Sequence, residues 1–246
     1  MYRFFIKPEQ AGKESIFITG SDVNHIKNVL RMKKGEHILL SDGKDREYEC
    51  EIVNLSEEAV EAKILDVFGS SAELPTKITL FQGLPKADKM ELIVQKAVEL
   101  GAFEIVPVST KRAVVKLDAK KAKKKVERWN TIALSAAKQA KRGCIPEVRP
   151  VMTLKEAFAH AKTLDASIVP YENAEGIKHS REVLNDLKGK GHIGIFIGPE
   201  GGFEEREIKD ALELGIEPIT LGKRILRTET AGIAVLSILM FSMEEE

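Results

Sequence analysis

The sequence has little of several features that would narrow its class at once. Only two cysteines occur among its 246 residues, Cys50 and Cys144, and they form no CxxC pair. A disulfide-stapled scaffold is therefore excluded, and a reducing compartment is expected. No apolar run reaches the roughly 18 residues that cross a bilayer, and the charged N-terminus has no signal-peptide core. These absences predict a cytoplasmic protein without a membrane partner.

Motifs for a metal or a dinucleotide are also missing. The five histidines have no ligand spacing with one another or with the cysteines, so no metal is expected. The chain has no GxGxxG turn after its first strand, and neither Gly-rich turn is a P-loop. A dinucleotide oxidoreductase is therefore set aside.

Charge is balanced overall but unevenly distributed. The sequence has 38 basic and 38 acidic side chains. Residues 111–142 carry twelve Lys or Arg against two acids, and residues 200–217 carry seven acids against two bases. The basic segment could form a local surface that faces phosphates, although the net charge of the chain is zero. The alternative is that it is only the solvent-exposed face of a helix.

The first 70 residues are typical of a small barrel. One helix is expected over 21–30, with Val23 and Ile26 inward and Ser21 or Asp22 as its cap. Turn residues separate the short predicted strands, which are 4–6, 16–18, 37–40, 48–53 and 60–67. Residues 69–75 have the composition of a linker.

After residue 76 strands alternate with helices, which predicts a parallel sheet covered on both faces. The predicted strands are 78–82, 105–108, 167–169, 193–197 and 218–221. The predicted helices begin near Asp88, Ala119, Thr153, Arg181, Glu204 and Glu229. Asp88 with Glu91 and Thr153 with Glu156 have the spacing of capping boxes.

Two loops in the second half could carry chemistry. The first, Gly198-Pro199-Glu200-Gly201-Gly202, follows a buried strand and opens a helix. Its glycines would let a ligand approach the backbone and the unpaired N–H groups of the helix start. Glu200 would repel a pyrophosphate, so a ligand without phosphates is favoured. Alone, this loop could be no more than a tight turn.

The second loop, from Leu221 to Gly232, also leads from a strand into a helix, with Thr228 as a predicted N-cap. Arginines and Glu229 stand beside apolar side chains there, so guanidinium groups could face a charged substrate. Strand ends of a parallel sheet converge on one crevice. The two loops together therefore predict a ligand site.

These two loops resemble the signature of SPOUT methyltransferases. More narrowly, they resemble the family that methylates N3 of a uridine in bacterial 16S ribosomal RNA. The signature lies at 198–202 and 221–231. The resemblance extends over nearly the whole chain, and the further matching segments are 3–5, 25–31, 89–101, 129–130, 137–139 and Arg142.

The resemblance implies an α/β protein with a PUA-like RNA-binding β-barrel over residues 1–72. A methyltransferase domain over residues 73–246 would have a parallel sheet and a C-terminal trefoil knot. The family acts as a homodimer on 16S rRNA, here in the small ribosomal subunit, with S-adenosylmethionine as cofactor. The expected cofactor-binding residues are Glu172, Gly198, Pro199, Glu200, Gly201, Gly202, Leu221, Gly222, Ile225, Leu226, Thr230 and Ala231.

The chemistry of uridine fits this assignment. N3 is a poor nucleophile until its imide proton leaves, whereas the methyl donor already carries a sulfonium leaving group. The enzyme therefore needs positioning, deprotonation and electrostatic help, but no metal. We expect Arg227 to stabilise the uridine anion and Glu229 to orient it or relay the proton. An ion pair between Arg227 and Glu229 that only fixes the loop is the alternative.

RNA phosphates would be contacted by basic side chains, which position a substrate without reading its bases. The expected RNA-binding residues are Arg3, Arg31, Lys86, Arg112, Lys138 and Arg142.

Two other functions stay open. One is a non-catalytic RNA-binding or ribosome-assembly factor that keeps the fold, and the intact glycines and arginines of both loops argue against it. The other is a related methyltransferase that acts on a ribose 2′-oxygen or on another RNA. The opening Arg3-Phe4-Phe5 favours the N3-uridine branch through resemblance. Free 16S RNA and the assembled subunit are both compatible substrates.

Overall fold

The computed structural model describes residues 1–44, 46–69 and 72–244. They form two compact units, the first made of 1–73 with 137–145 and the second of 74–136 with 146–246. The predicted linker over 69–75 includes Ser70 and Ser71, which lie outside the described residues. Within the described ranges, no helix has both the length and the apolar character that crossing a membrane requires.

The first unit is a curled five-stranded sheet. Its strands are β1 (Tyr2–Phe5), β2 (Ser15–Thr19), β3 (His37–Ser41), β4 (Arg46–Leu55) and β5 (Ala59–Gly69). Their order in the sheet is β1-β3-β4-β5-β2, with β1 parallel to β3 and the other neighbours antiparallel. Register shifts near Cys50 and Ile52 interrupt the long β4–β5 ladder, and such bulges bend a sheet around its core. All five lie where the sequence predicts a strand.

The helix of the first unit begins as α1 (Ser21–Asn24) and continues as a π-helical turn, His25–Val29. Val23 and Ile26 are buried in the core, as their spacing predicts. The predicted cap was wrong. Gly20 occupies the N-cap with φ of 78°, a left-handed conformation that suits glycine, and no side chain caps the helix.

A buried ion pair fixes segment 137–145 within the first unit. Arg142 is only 3% exposed, and its Nε and Nη2 donate to Glu73 at 2.9 Å and 2.5 Å. The backbone N–H of Gly143 donates to the same carboxylate at 2.9 Å. Burial opposes ionisation of Glu73, but the hydrogen bonds and charge of Arg142 outweigh it, so the pKa of Glu73 lies below its ordinary 4.5. Removing one partner would leave the other buried without a counter-charge.

We predict that Glu73→Gln lowers the free energy of unfolding of the first unit by about 3–5 kcal/mol at pH 7. The lowered pKa means that the ion pair stabilises the protein above pH 4.5. This stabilisation is lost as the pH falls through the folded-state pKa. Chemical denaturation at several pH values tests this. The difference in unfolding free energy between Glu73→Gln and the wild type should become smaller as the pH falls below 4.5.

Glu99→Gln is the control, because Glu99 forms a solvent-accessible pair with Lys96 at 2.7 Å. Loss of the Glu99–Lys96 pair should lower the free energy of unfolding by at most about 1 kcal/mol. Equal effects of the two variants would contradict a structural role for the buried pair.

The second unit is built on a seven-stranded parallel sheet. Its strands are β6 (Lys77–Gly83), β7 (Glu104–Ser109), β8 (Glu147–Val148), β9 (Met152–Thr153), β10 (Ala166–Pro170), β11 (His192–Ile197) and β12 (Glu217–Ile219). Their order is β12-β10-β11-β6-β7-β8, with β9 also paired to β7. The helices are α2 (Lys89–Glu99), α3 (Ala119–Gln139), α4 (Leu154–Ala161), α5 (Ile177–Asp186), α6 (Glu205–Glu213) and α7 (Thr228–Met243). The predicted parallel sheet is thereby confirmed.

The central strands β6 and β11 are buried over almost their whole length. Phe81 of β6 and Phe196 of β11 stack with ring centroids 4.3 Å apart. The register places Gln82 beside Ile197, so both strands end at the same edge of the sheet. Parallel sheets bind ligands at this carboxyl edge.

Only one of the two predicted capping boxes forms. Thr153 and Glu156 cap α4 reciprocally. Asp88 stands at the N-cap of α2, but with φ −95° and ψ 13° its side chain makes no capping hydrogen bond. Glu91 instead accepts from the guanidinium of Arg128 at 3.0 Å and 3.2 Å, so that prediction was wrong.

Candidate functional site

The Gly-rich loop after β11, the start of α7 and the end of β6 are joined by one buried hydroxyl. Thr228 Oγ1 donates to the carbonyl oxygen of Gly198 at 2.6 Å. It also accepts from Nε2 of Gln82 at 2.8 Å. Thr228 is the first residue of α7, and Arg227 is the N-cap. This corrects the prediction that Thr228 caps the helix.

Glycines at this edge permit close contact between backbones. A Cβ on Gly83 would lie 2.6 Å from Cδ of Pro199, and one on Gly198 would lie 3.1 Å from Cα of Gly202. Gly202 has φ of +66°, a conformation that other residues rarely adopt. The end of β6 and the loop after β11 therefore pack at a distance that side chains would prevent.

We predict that Gly83→Ala destabilises the protein by about 1–3 kcal/mol, because the added methyl group displaces Pro199. Gly176→Ala is the control, since a Cβ there meets nothing within 4 Å and its φ is −58°. That change should cost no more than about 1 kcal/mol, because Gly176 is the N-cap of α5 and alanine caps a helix less well than glycine. Thermal unfolding of both variants tests this, and a tolerated Gly83→Ala would contradict the close packing.

The converging strand ends enclose a cavity of about 470 Å³, a size typical of sites for small organic ligands. Nine of the twelve predicted cofactor-binding residues line it, namely Glu172, Gly198, Pro199, Glu200, Gly201, Gly202, Ile225, Leu226 and Ala231. Leu221 and Gly222 line a neighbouring cavity of about 250 Å³ that shares Glu172 and Ile225 with the first. Thr230 lines neither of these two cavities.

Three cationic side chains also line the larger cavity, Lys89, Arg112 and Arg227. Arg112 donates from Nη1 to the carbonyl oxygen of Gly201 at 3.1 Å. Arg227, one of the two predicted catalytic residues, is exposed at the N-cap of α7. Sequence reasoning did not single out Lys89, because a lysine at the start of a helix in a lysine-rich chain carries no distinguishing pattern.

Lys89 holds the two acidic side chains of the site. Its Nζ lies 3.2 Å from Oε1 of Glu200 and 3.2 Å from Oε2 of Glu229. Glu229 and Glu200 together raise the pKa of Lys89 above its ordinary value. Glu229 therefore forms its ion pair with Lys89, whereas Arg227 lines the cavity and forms no ion pair with any residue that the structure describes.

Both glutamates are held in the ionised form. Burial opposes ionisation of Glu200, but its own N–H, that of Lys86 and the Lys89 ammonium lower its pKa. Burial likewise opposes ionisation of Glu229, but its own N–H, Lys89 and Arg227 lower its pKa. A carboxylate with a lowered pKa is a weak proton acceptor, so this geometry favours a positioning role for Glu229 over that of a base.

The predicted RNA-binding residues have different surroundings. Arg31, Lys86 and Arg112 are exposed. Arg3 donates to the carbonyl oxygen of Lys141 and pairs with Glu47 at 3.1 Å, and Lys138 lies 3.4 Å from Asp22. Arg142 is buried against Glu73, so we remove it from the proposed contacts, because its guanidinium is not accessible to a phosphate.

Comparison with known proteins places this site in a class. Residues 72–240 match the model of the RNA methyltransferase domain family, and residues 18–65 match that of the RNA methyltransferase PUA domain. The first match covers the site and its sheet. The chain therefore contains an RNA methyltransferase domain.

Individual relatives narrow the class. The chain is 38% identical to ribosomal RNA small subunit methyltransferase E of Bacillus subtilis, over 99% of this chain and 98% of that protein. It is 35% identical to the protein of that name from Mesomycoplasma hyopneumoniae, over 96% and 98% of the two chains. The crystal structure of the Neisseria gonorrhoeae protein of that name, bound to S-adenosyl methionine, is 33% identical with a TM-score of 0.81 over 98% of each chain. The chain belongs to the ribosomal RNA small subunit methyltransferase E family.

Proposed function

We propose that this protein transfers a methyl group from S-adenosylmethionine to N3 of a uridine in 16S ribosomal RNA, within the small ribosomal subunit. The observation that carries the proposal is the cavity at the carboxyl edge of the sheet, where the two loops meet. The relatives named for small-subunit methylation and the Neisseria gonorrhoeae structure with bound donor support it.

The residues of the cavity fit this donor. Gly198 and Gly201 would offer backbone groups to the adenine edge, while Ile197, Leu226 and Ala231 give apolar surface for its faces. Glu172, just after β10, would accept hydrogen bonds from the ribose hydroxyls. The donor carries no phosphate, so it would meet no phosphate–carboxylate repulsion at Glu172 and Glu200.

Arg227 and Glu229 would have different roles in methylation of the uridine. The donor supplies an electrophilic methyl group when it is bound. Arg227 would stabilise the negative charge that develops on the uracil ring as N3 loses its proton to solvent water, because its guanidinium lines the cavity where that charge forms. Glu229 stays ionised and, through Lys89, positions the start of α7.

The first unit would bind RNA. We propose that residues 1–72 form a PUA-like barrel for this purpose and that the methyltransferase domain lies within 73–246. The segment 137–145 is an exception to that boundary, because it belongs to the first unit. Arg3, Arg31, Lys86, Arg112 and Lys138 remain the proposed RNA contacts.

The family resemblance also supports a trefoil knot in the second domain and a homodimer. Support for the dimer comes from α7, which exposes two apolar side chains, Ile238 at 44% and Phe241 at 84%. An exposed apolar helix face marks an interaction surface.

The direct test is transfer of a labelled methyl group from S-adenosylmethionine to small ribosomal subunits that lack the mark, with free 16S RNA alongside. We expect N3-methyluridine at one position, identified by mass spectrometry. Label on a ribose 2′-oxygen would move the protein to another branch of the family. A protein that binds RNA but transfers no label would be a non-catalytic factor.

Arg227→Ala should lower kcat about 10²- to 10³-fold, the range for losing one donor to a developing anion. Donor affinity measured by calorimetry should stay within about threefold of wild type. Arg206→Ala, on the exposed surface of α6 and away from both cavities, serves as the matched control and should keep full turnover. Full turnover by Arg227→Ala would contradict its catalytic role.

A further inference from the structure

The start of α3 is a basic segment whose charge is only partly neutralised within the protein. Lys120, Lys121, Lys123 and Lys124 are all exposed. Nothing in the described segment 119–128 is fully buried, and burial on α3 begins at Trp129. The lysines therefore add no packing to the second unit.

Electrostatics within the helix makes this placement unfavourable. The N-terminal end of a helix carries partial positive charge, so cations are disfavoured there. Lysines three or four positions apart, such as Lys120 with Lys123 and with Lys124, also repel each other. The first turn of α3 has no acidic residue, whereas the first turns of α4 and α6 in the same unit do. Folding alone would favour fewer lysines here.

Neighbouring carboxylates neutralise only part of the charge. Lys121 pairs with Asp118 at 3.2 Å, Lys125 with Asp88 at 3.7 Å and Arg128 with Glu91 at 3.0 Å. Six other cations have no ion pair with any residue that the structure describes. They are Lys111, Arg112, Lys116, Lys120, Lys123 and Lys124, and we call them the α3 basic surface.

This surface begins at the cavity. Arg112 lines the cavity and donates to the carbonyl oxygen of Gly201 in the Gly-rich loop. A Cβ on Gly201 would lie only 3.2 Å from Cβ of Arg112, so the two segments are in close contact. Lys89 also lines the cavity, and its neighbour in the chain, Asp88, pairs with Lys125 of α3 at 3.7 Å. A polyanion that places one unit in the cavity would therefore meet the basic surface next.

We propose that the α3 basic surface binds the phosphate backbone of the substrate RNA next to the target nucleotide. This inference rests on the proposed function, which supplies RNA as the substrate. Phosphates at regular spacing would neutralise the lysines that the fold leaves without counter-charges, and counterion release would drive the contact. The contact is independent of base sequence, so it positions the RNA and does not select the uridine.

The test is a triple variant, Lys120→Gln with Lys123→Gln and Lys124→Gln, in the full-length protein. Binding to small ribosomal subunits that lack the mark is measured over a range of salt concentrations. Three lost contacts at about 0.7 each should lower the slope of log affinity against log salt by about 2. At low salt the affinity should fall at least about tenfold, and KM for the subunit should rise more than kcat falls.

Two readouts separate RNA binding from structure. Donor affinity should be unchanged, and the thermal midpoint should be equal or higher, because like-charge repulsion has been removed. A matched control carries Lys155→Gln, Lys162→Gln and Lys188→Gln. These three exposed lysines give the same change in net charge on other parts of the second unit.

Three results would overturn the inference. One is a salt slope equal to that of the control. Another is a lower thermal midpoint with weaker donor binding, which would make the lysines structural. The third is loss of binding to phosphatidylserine vesicles with RNA binding intact, which would point to a membrane surface. Failure of the proposed function is distinguishable, because the wild-type protein would then methylate no subunit at all.

Discussion

One ammonium group between two carboxylates determines how the edge of the sheet is arranged. Lys89 comes from the start of α2, Glu200 from the loop after β11 and Glu229 from the first turn of α7. These segments are far apart in sequence and meet because β6 and β11 are parallel neighbours that end together. The Lys89 ammonium group offsets the repulsion between the carboxylates of Glu200 and Glu229, so both can lie close together at the cavity. Arg227 stands at the N-cap of α7, the helix whose first turn carries Glu229.

The architecture of both units could be predicted from the sequence. Short alternating strands indicated the curled sheet, and buried strands alternating with helices indicated the parallel one. These signals depend on residues near one another in the chain, as does the Thr153 and Glu156 capping box that forms at α4. The two-residue strands β8 and β9 were missed because so short a stretch has no period to recognise.

Side-chain partners could not be predicted in the same way. Arg142 has the motif position of an RNA contact, but Glu73, 69 residues away, holds it in the core. Glu91 has the spacing of a capping residue, but Arg128 competes for its carboxylate. Lys89 meets Glu200 and Glu229 only because β6 and β11 end at the same edge of the sheet. Composition and local spacing do not reveal that register. The glycine loops were located correctly because a close approach of backbones requires glycine itself.

The most direct test of this account is the affinity of Lys89 variants for S-adenosylmethionine, measured by calorimetry across pH. Lys89→Met should weaken donor binding about tenfold, or about 1.4 kcal/mol, and Lys89→Arg should restore part of it. Without the ammonium group the pKa values of Glu200 and Glu229 should rise, so binding by Lys89→Met should begin to fail at a higher pH on acidification. A Lys89→Met protein that binds the donor like wild type, with the same pH dependence, would contradict the account.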